Sequence, residues 1–173
     1  MNKLKHSDYI THINNEEDVV YLKTKHFPVN MRLFKTSLEY RSLILDQCNY
    51  IRKLCLDVKK GYKKPHGMSS ANAGLAFNII GVTRNRLQSN EYCKILINPR
   101  IVEYVGSLVE TTSNCGSITL ENPIKLKRNS EIIVNYFDEK GSEFVELFTR
   151  ETGAFTIQHE VDHNNGILIT DYK

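Results

Sequence analysis

The sequence predicts an α+β fold. Three observations carry that prediction: a long amphipathic helical pattern early in the chain, a block of short β-branched and aromatic segments after it, and one more helical segment near the end. The βαβα alternation of a doubly wound sheet is missing. With 173 residues, 40% of them hydrophobic and 25% charged, the chain reads as one domain over 1–173. A domain of this size buries roughly 70% of the surface its unfolded chain exposes, enough for a core without staples.

The first helix is expected to open at Thr36, where Thr36-x-x-Glu39 has the spacing of a capping box. Ile44, Cys48, Ile51, Cys55 and Val58 then recur at i, i+4, i+7, i+11 and i+14 and mark one apolar face. The pattern stops near Gly61, and Lys64-Pro65 cannot continue it. Beyond it, CKILIN (93–98), IVEYVGSLVE (101–110), EIIVNYF (131–137) and SEFVELF (142–148) read as strands. Asp138-Glu139-Lys140-Gly141 is a hairpin turn between the last two. Residues 151–166 return to helical spacing, with Ala154, Ile157 and Val161 on one face and Asn164-Asn165-Gly166 as the stop. A final strand over 166–169 is expected to close the chain. Cys48 and Cys55 lie on the helix stripe and Cys93 shares a face with Ile95 and Ile97, so these three read as small apolar core residues.

Lys and Arg number 23 against 20 Asp and Glu, a net charge of +3. That is far from the charge density of a dedicated nucleic-acid or anionic-membrane binder. No apolar run approaches the ~20 residues of a membrane span, and the N-terminal residues hold no signal-peptide core. The four cysteines form no C-x-x-C pair and no disulfide framework. Together these features predict a cytoplasmic protein with reduced thiols, no membrane contact and no specific nucleic-acid partner.

His159-Glu160-Val161-Asp162-His163 is an H-E-x-x-H on a segment that independently reads as helix. The i, i+4 spacing sets both imidazoles on one face a turn apart, where they can grip one metal ion, with Glu160 beside them. In a chain of this length with 6 histidines, chance produces the pattern in about 1 to 2% of cases. A catalytic ion also needs a third protein ligand and an open position. The H-E-x-x-H-x-x-G-x-x-H class is excluded, because Gly166 fits but Ile169 stands where the third His belongs. A downstream Glu ligand is excluded as well, since Asp171 is the sole acid after His163. The third ligand is therefore expected upstream, and Cys115 in the polar turn Ser113-Asn114-Cys115-Gly116-Ser117 is the candidate. A thiolate beside two imidazoles suits Zn(II) or Fe(II). Asp162 is placed either to orient an imidazole or to lie in solvent.

Three motifs together resemble the peptide deformylases, the metalloenzymes that remove the formyl group from N-terminal formylmethionine. The family pattern Q-H-E-x-D-H is complete as Gln158-His159-Glu160-Val161-Asp162-His163. E-G-C-L-S survives as Ser113-Asn114-Cys115-Gly116-Ser117, and G-x-G-h-A-A-x-Q as Asn72-Ala73-Gly74-Leu75-Ala76-Phe77-Asn78-Ile79. The resemblance spans roughly residues 26–172 and implies antiparallel sheets around a central H-E-x-x-H helix. It implies Cys115, His159 and His163 as metal ligands, Glu160 as general acid/base, and the Gly116 N–H as an oxyanion donor. The family's oxyanion-binding Gln falls at Ile79, with Asn78 beside it as a substitute if the backbone shifts by one residue. Gly74 is expected to admit the substrate main chain, with Ala73 and Phe155 at an apolar pocket for the Met side chain. One divalent ion per chain is implied, Fe(II) favoured over Zn(II), Ni(II) or Co(II). The implied partner is an N-formylmethionyl peptide, with transient ribosome association as a further expectation. A non-catalytic relative that binds peptide N-termini is the alternative raised by Ile79, Ser113 and Asn114, and a metallopeptidase of internal bonds is the third reading.

Overall fold

The computed structural model describes residues 25–56, 65–83, 92–118 and 123–172. Its elements are α1 (Met31–Thr36), α2 (Leu38–Leu56), β1 (Gly67–Ser69), β2 (Ile79–Thr83), β3 (Cys93–Ser113), β4 (Ile124–Phe137), β5 (Glu143–Thr149), α3 (Ala154–Asn164) and a 3-10 turn at Ile169–Asp171. The five strands form one sheet in chain order with antiparallel neighbours throughout, so the α+β expectation holds.

The start of the long helix differs from the capping box expected at Thr36. Asn30 caps a separate short helix, its Oδ1 accepting from the N–H groups of Arg32 and Leu33. Thr36 becomes the last residue of that helix, and its hydroxyl donates to Arg32 O at 2.8 Å. Ser37, extended at φ −115°, breaks the two helices apart and accepts from the Tyr40 N–H at 3.3 Å. Ile44, Cys48, Ile51 and Cys55 are all fully buried, as their spacing predicts, whereas Val58 and the stop near Gly61 lie outside the described residues.

The segments 93–98 and 101–110 are two parts of one strand. Pro99 lacks an N–H, and the chain absorbs it at a bulge between Ile97 and Arg100, with Asn98 at φ 52°. Two more register shifts follow, at Ile101/Glu103 and Val105/Leu108. The β4–β5 hairpin turns as expected: Gly141 sits at φ 82°, and the Asp138 carboxylate accepts from the N–H groups of Lys140 and Ser142.

Alternation splits the core into two layers. Ile79, Ile95 and Ile97 face α2 with its Ile44, Cys48, Ile51 and Cys55. Ile80, Leu96, Ile132 and Val134 face α3 with its Ala154, Ile157 and Val161. Gly81 permits the close approach of α2, since a Cβ there would lie 2.7 Å from Ile51 Cγ2.

The strand expected over 166–169 does not form. The Ile167 N–H is taken by Asp162 O at the end of α3, and the Leu168 N–H by the Asp171 carboxylate at 2.9 Å. With those donors used locally, Leu168 and Ile169 stay buried but cannot join a sheet ladder. No described helix is long and apolar enough to cross a membrane.

Candidate active site

Helix α3 is the element that positions the chemistry, and β4 fixes it in place. Gln158 grips the strand backbone at both ends of its amide: Nε2 donates to Asn129 O at 2.8 Å and Oε1 accepts from Asn129 N at 3.2 Å. Arg128, only 3% exposed, pairs with Asp162 at 2.9 Å, and the Tyr172 hydroxyl donates to the same carboxylate oxygen at 2.6 Å. Asp162 is thereby spent on Arg128 and Tyr172. Of the two placements expected for it, orienting an imidazole and lying in solvent, the structure adopts neither.

The i, i+4 pair behaves as its spacing predicts. His159 and His163 meet edge to face with Nε2 atoms 3.1 Å apart, and Cys115 Sγ lies 3.2 Å from His163 Nε2. The ligand atoms of all three lie within 4.8 Å of one another. Two imidazole nitrogens on a tetrahedral ion sit about 3.3 Å apart and a sulfur about 3.6 Å from each, so the two close pairs need only slight spreading, with Cys115 and His159 settling from within 4.8 Å, to admit a metal. Cys115 lies in the turn after β3, as expected, yet it is buried beside Leu126 and Ile169.

Burial dominates the electrostatics. It holds His159 down to about 3, helped by the charges of His163 and Arg128, and His163 down to about 4, helped by Arg128 and His26. Both rings are therefore neutral, the form that ligates metal. Burial also pushes the Cys115 thiol up to about 11, opposed by hydrogen bonds from the Ser117 N–H and hydroxyl and the Ile118 N–H. A bound dication would deprotonate it outright. Glu160 is raised to about 8 by burial, opposed by its contact with Ser69 and by the charge of Arg128. Its Oε2 has no partner among the described residues.

The remaining sequence-derived positions spread more widely. Gly116 is exposed beside Cys115, with open space where a Cβ would go. Ile79 is fully buried in the α2 layer. Asn78 Oδ1 accepts from Asn164 Nδ2 at 2.9 Å. Gly74 occupies an exposed turn at φ 68° with nothing near a Cβ, Ala73 is buried in the α2 layer, and Phe155 is half-buried under the Arg150 guanidinium. Sequence reasoning did not single out Ser69 or Tyr172 and took Asn72 and Ser117 only as motif letters. Ser69-x-x-Asn72 has the look of an ordinary polar turn, so nothing local marks it.

An N2S group that could hold a metal ion, with a buried carboxylate one residue along the helix on an α+β scaffold, is the arrangement expected of an H-E-x-x-H site. Residues 30–173 match the profile of the polypeptide deformylases, and the chain belongs to that family of hydrolases. The peptide deformylase of Karelsulcia muelleri is 28% identical over 141 residues, 71% of this chain and 72% of that protein. The peptide deformylase of Desulfotalea psychrophila is 34% identical over 107 residues, 61% of this chain and 62% of that protein. In fold, a Met-Ala-Ser-bound class I type b peptide deformylase from Acinetobacter baumannii superposes with a TM-score of 0.74 at 18% identity, covering 95% of this chain and 96% of that one. A probable peptide deformylase from synechococcus phage S-SSM7 gives 0.70 at 20% identity, covering 95% and 98%.

Proposed function

We propose that this chain is a metal-dependent peptide deformylase, which hydrolyses the N-formyl group of formylmethionyl peptides. The observation that carries the reading is the buried Glu160 carboxyl, kept beside the converged Cys115, His159 and His163. A purely structural metal site has no use for such a group. A divalent ion held by those three residues, Fe(II) favoured over Zn(II), Ni(II) and Co(II), supplies Lewis acidity and an activated water.

The chain's own residues supply the rest. Glu160 takes the proton from water as its oxygen bonds to the formyl carbon, then returns it to the departing amine as the C–N bond breaks, giving formate and a free N-terminus. The N–H of Gly116, a residue exposed beside Cys115, donates to the carbonyl oxygen as charge develops there. β1 is one of the two edge strands of the sheet and packs on Glu160, which supports main-chain recognition of an extended peptide along it. A cytoplasmic location and transient ribosome contact belong to the same proposal, since nascent chains are the substrate.

The test is formate release from a formyl-Met peptide by protein loaded anaerobically with Fe(II) or with Ni(II). Turnover that is lost in Glu160→Gln, with metal content unchanged, supports the reading; no formate from folded, fully metallated protein refutes it. One observation favours a second reading. Ile79 is sealed in the core where the family carries an amide, and loss of an oxyanion donor typically costs ~10² to 10³ in rate. A non-catalytic relative that binds peptide N-termini would show saturable binding without formate.

A further inference from the structure

The geometry points to Asn72 as a positioning residue, the centre of a buried bridge, Ser69–Asn72–Ser117, that fixes the Glu160 carboxyl relative to the Cys115 sulfur. This inference rests on the proposed metal site and deepens it.

Ser69 and Ser117 are fully buried and Asn72 is 7% exposed, so three polar side chains are enclosed together. Buried polar groups of this kind are costly unless each finds a partner. Here each does. Asn72 Oδ1 accepts from the Ser69 hydroxyl and, at 3.4 Å, from the Ser69 N–H. Asn72 Nδ2 donates to Ser117 Oγ. The outer ends of the bridge reach the chemistry: Ser69 lies on β1, which packs on the Glu160 carboxyl, and offers it the backbone N–H, while Ser117, two residues after Cys115 in the same turn, turns its hydroxyl to the Cys115 sulfur.

Proton direction settles the amide orientation. A metal-bound thiolate only accepts, so the Ser117 hydroxyl turns its single proton to sulfur and its oxygen must accept from elsewhere. Asn72 Nδ2 meets that need, and Oδ1 takes the single hydroxyl proton of Ser69, which leaves the Ser69 N–H as the donor toward Glu160. The bridge joins residues 45 apart in sequence, tying the edge strand to the turn that carries Cys115 and Gly116. Losing it frees the general acid/base and the thiolate to drift relative to one another.

The test uses the full chain loaded with Co(II), whose sulfur-to-metal charge-transfer band reports the hydrogen bonding of the thiolate. Asn72→Asp keeps the size and the Oδ1 acceptor but removes the donor, so Ser117 turns its proton away from sulfur. Ser117→Ala removes only the hydroxyl and covers the case in which Asn72 variants fail to fold. Both are expected to shift the band, to weaken Co(II) binding and to lower kcat by ~10- to 100-fold with KM little changed, while Ser117→Thr restores the wild-type band. Folded variants with the wild-type band, Co(II) affinity and kcat overturn the inference. If wild-type protein binds Co(II) but releases no formate, the deformylase reading fails while the band and affinity still decide the role of Asn72. Wild-type protein that takes up no Co(II) overturns both.

Discussion

Replacing Gly67 by alanine measures how closely β1 is pressed against α3. A Cβ at this position would stand 2.5 Å from Thr156 Cγ2 and 2.9 Å from both Cγ and Oε1 of Glu160. Ordinary contacts lie near 3.5 to 4.0 Å, so the new methyl intrudes by about 1 Å on two neighbours at once. The backbone of Gly67 is not left-handed, which makes the penalty steric alone. Overpacking of this degree costs about 1 to 3 kcal/mol, a fall in Tm of about 2 to 12 °C for a chain of this length. A displacement of about 1 Å at the general acid/base costs on the order of 10²-fold in rate. Thermal unfolding and formate release measured on the same preparation separate the two effects. Adding Thr156→Ser removes Cγ2, so the double variant regains part of the Tm while formate release stays low, because the contact with Glu160 persists. A Gly67→Ala protein with wild-type Tm and wild-type activity refutes the packing argument.

Two further outcomes follow from the same geometry. Arg128→Ala strands the Asp162 carboxylate, 16% exposed, without its cation, and is expected to cost about 3 to 5 kcal/mol by thermal or denaturant unfolding, whereas Arg128→Met with Asp162→Leu recovers most of it. Stripping the protein with a chelator removes an ion that binds only the folded chain, so Tm drops by about 5 to 11 °C relative to protein held at a hundredfold excess of Zn(II) over its Kd, and Cys115→Ala shows no such difference.

What the sequence made legible follows a physical rule. Periodic features came through: the stripe of Ile44, Cys48, Ile51 and Cys55, the Asp138–Gly141 turn and the i, i+4 histidines are each set by spacing alone. Features decided by competition between neighbours did not. Thr36 and Ser37 can each cap a helix, and only the presence of a shorter helix started by Asn30 assigns the break to Ser37. The apolar run at 166–169 has strand composition, but its N–H groups are claimed by Asp162 and Asp171 before a ladder can form. At the site, Cys115 was reachable by elimination among ligands, while Ser69, Asn72 and Arg128 act through contacts far apart in sequence and carry no local mark. Asp162 drew attention by its place in the motif, and its actual partners, on β4 and near the chain end, are invisible to any window around it.

Three bulges in β3 each add one residue on that strand against β4. Because side chains alternate, every such insertion exchanges the inner and outer faces of all that follows. The side on which Cys115 emerges is thus a matter of parity, counted along the strand from the layer packed on α2. A lone deletion in a regular stretch of β3 would leave the sheet's hydrogen bonds largely reparable but would carry the thiol to the wrong side of the histidines, whereas loss of a bulge's extra residue keeps every later residue opposite its β4 partner. A paired deletion preserves the count. The metal site is in this sense addressed by number, and the stretch before it tolerates changes of residue far better than changes of length.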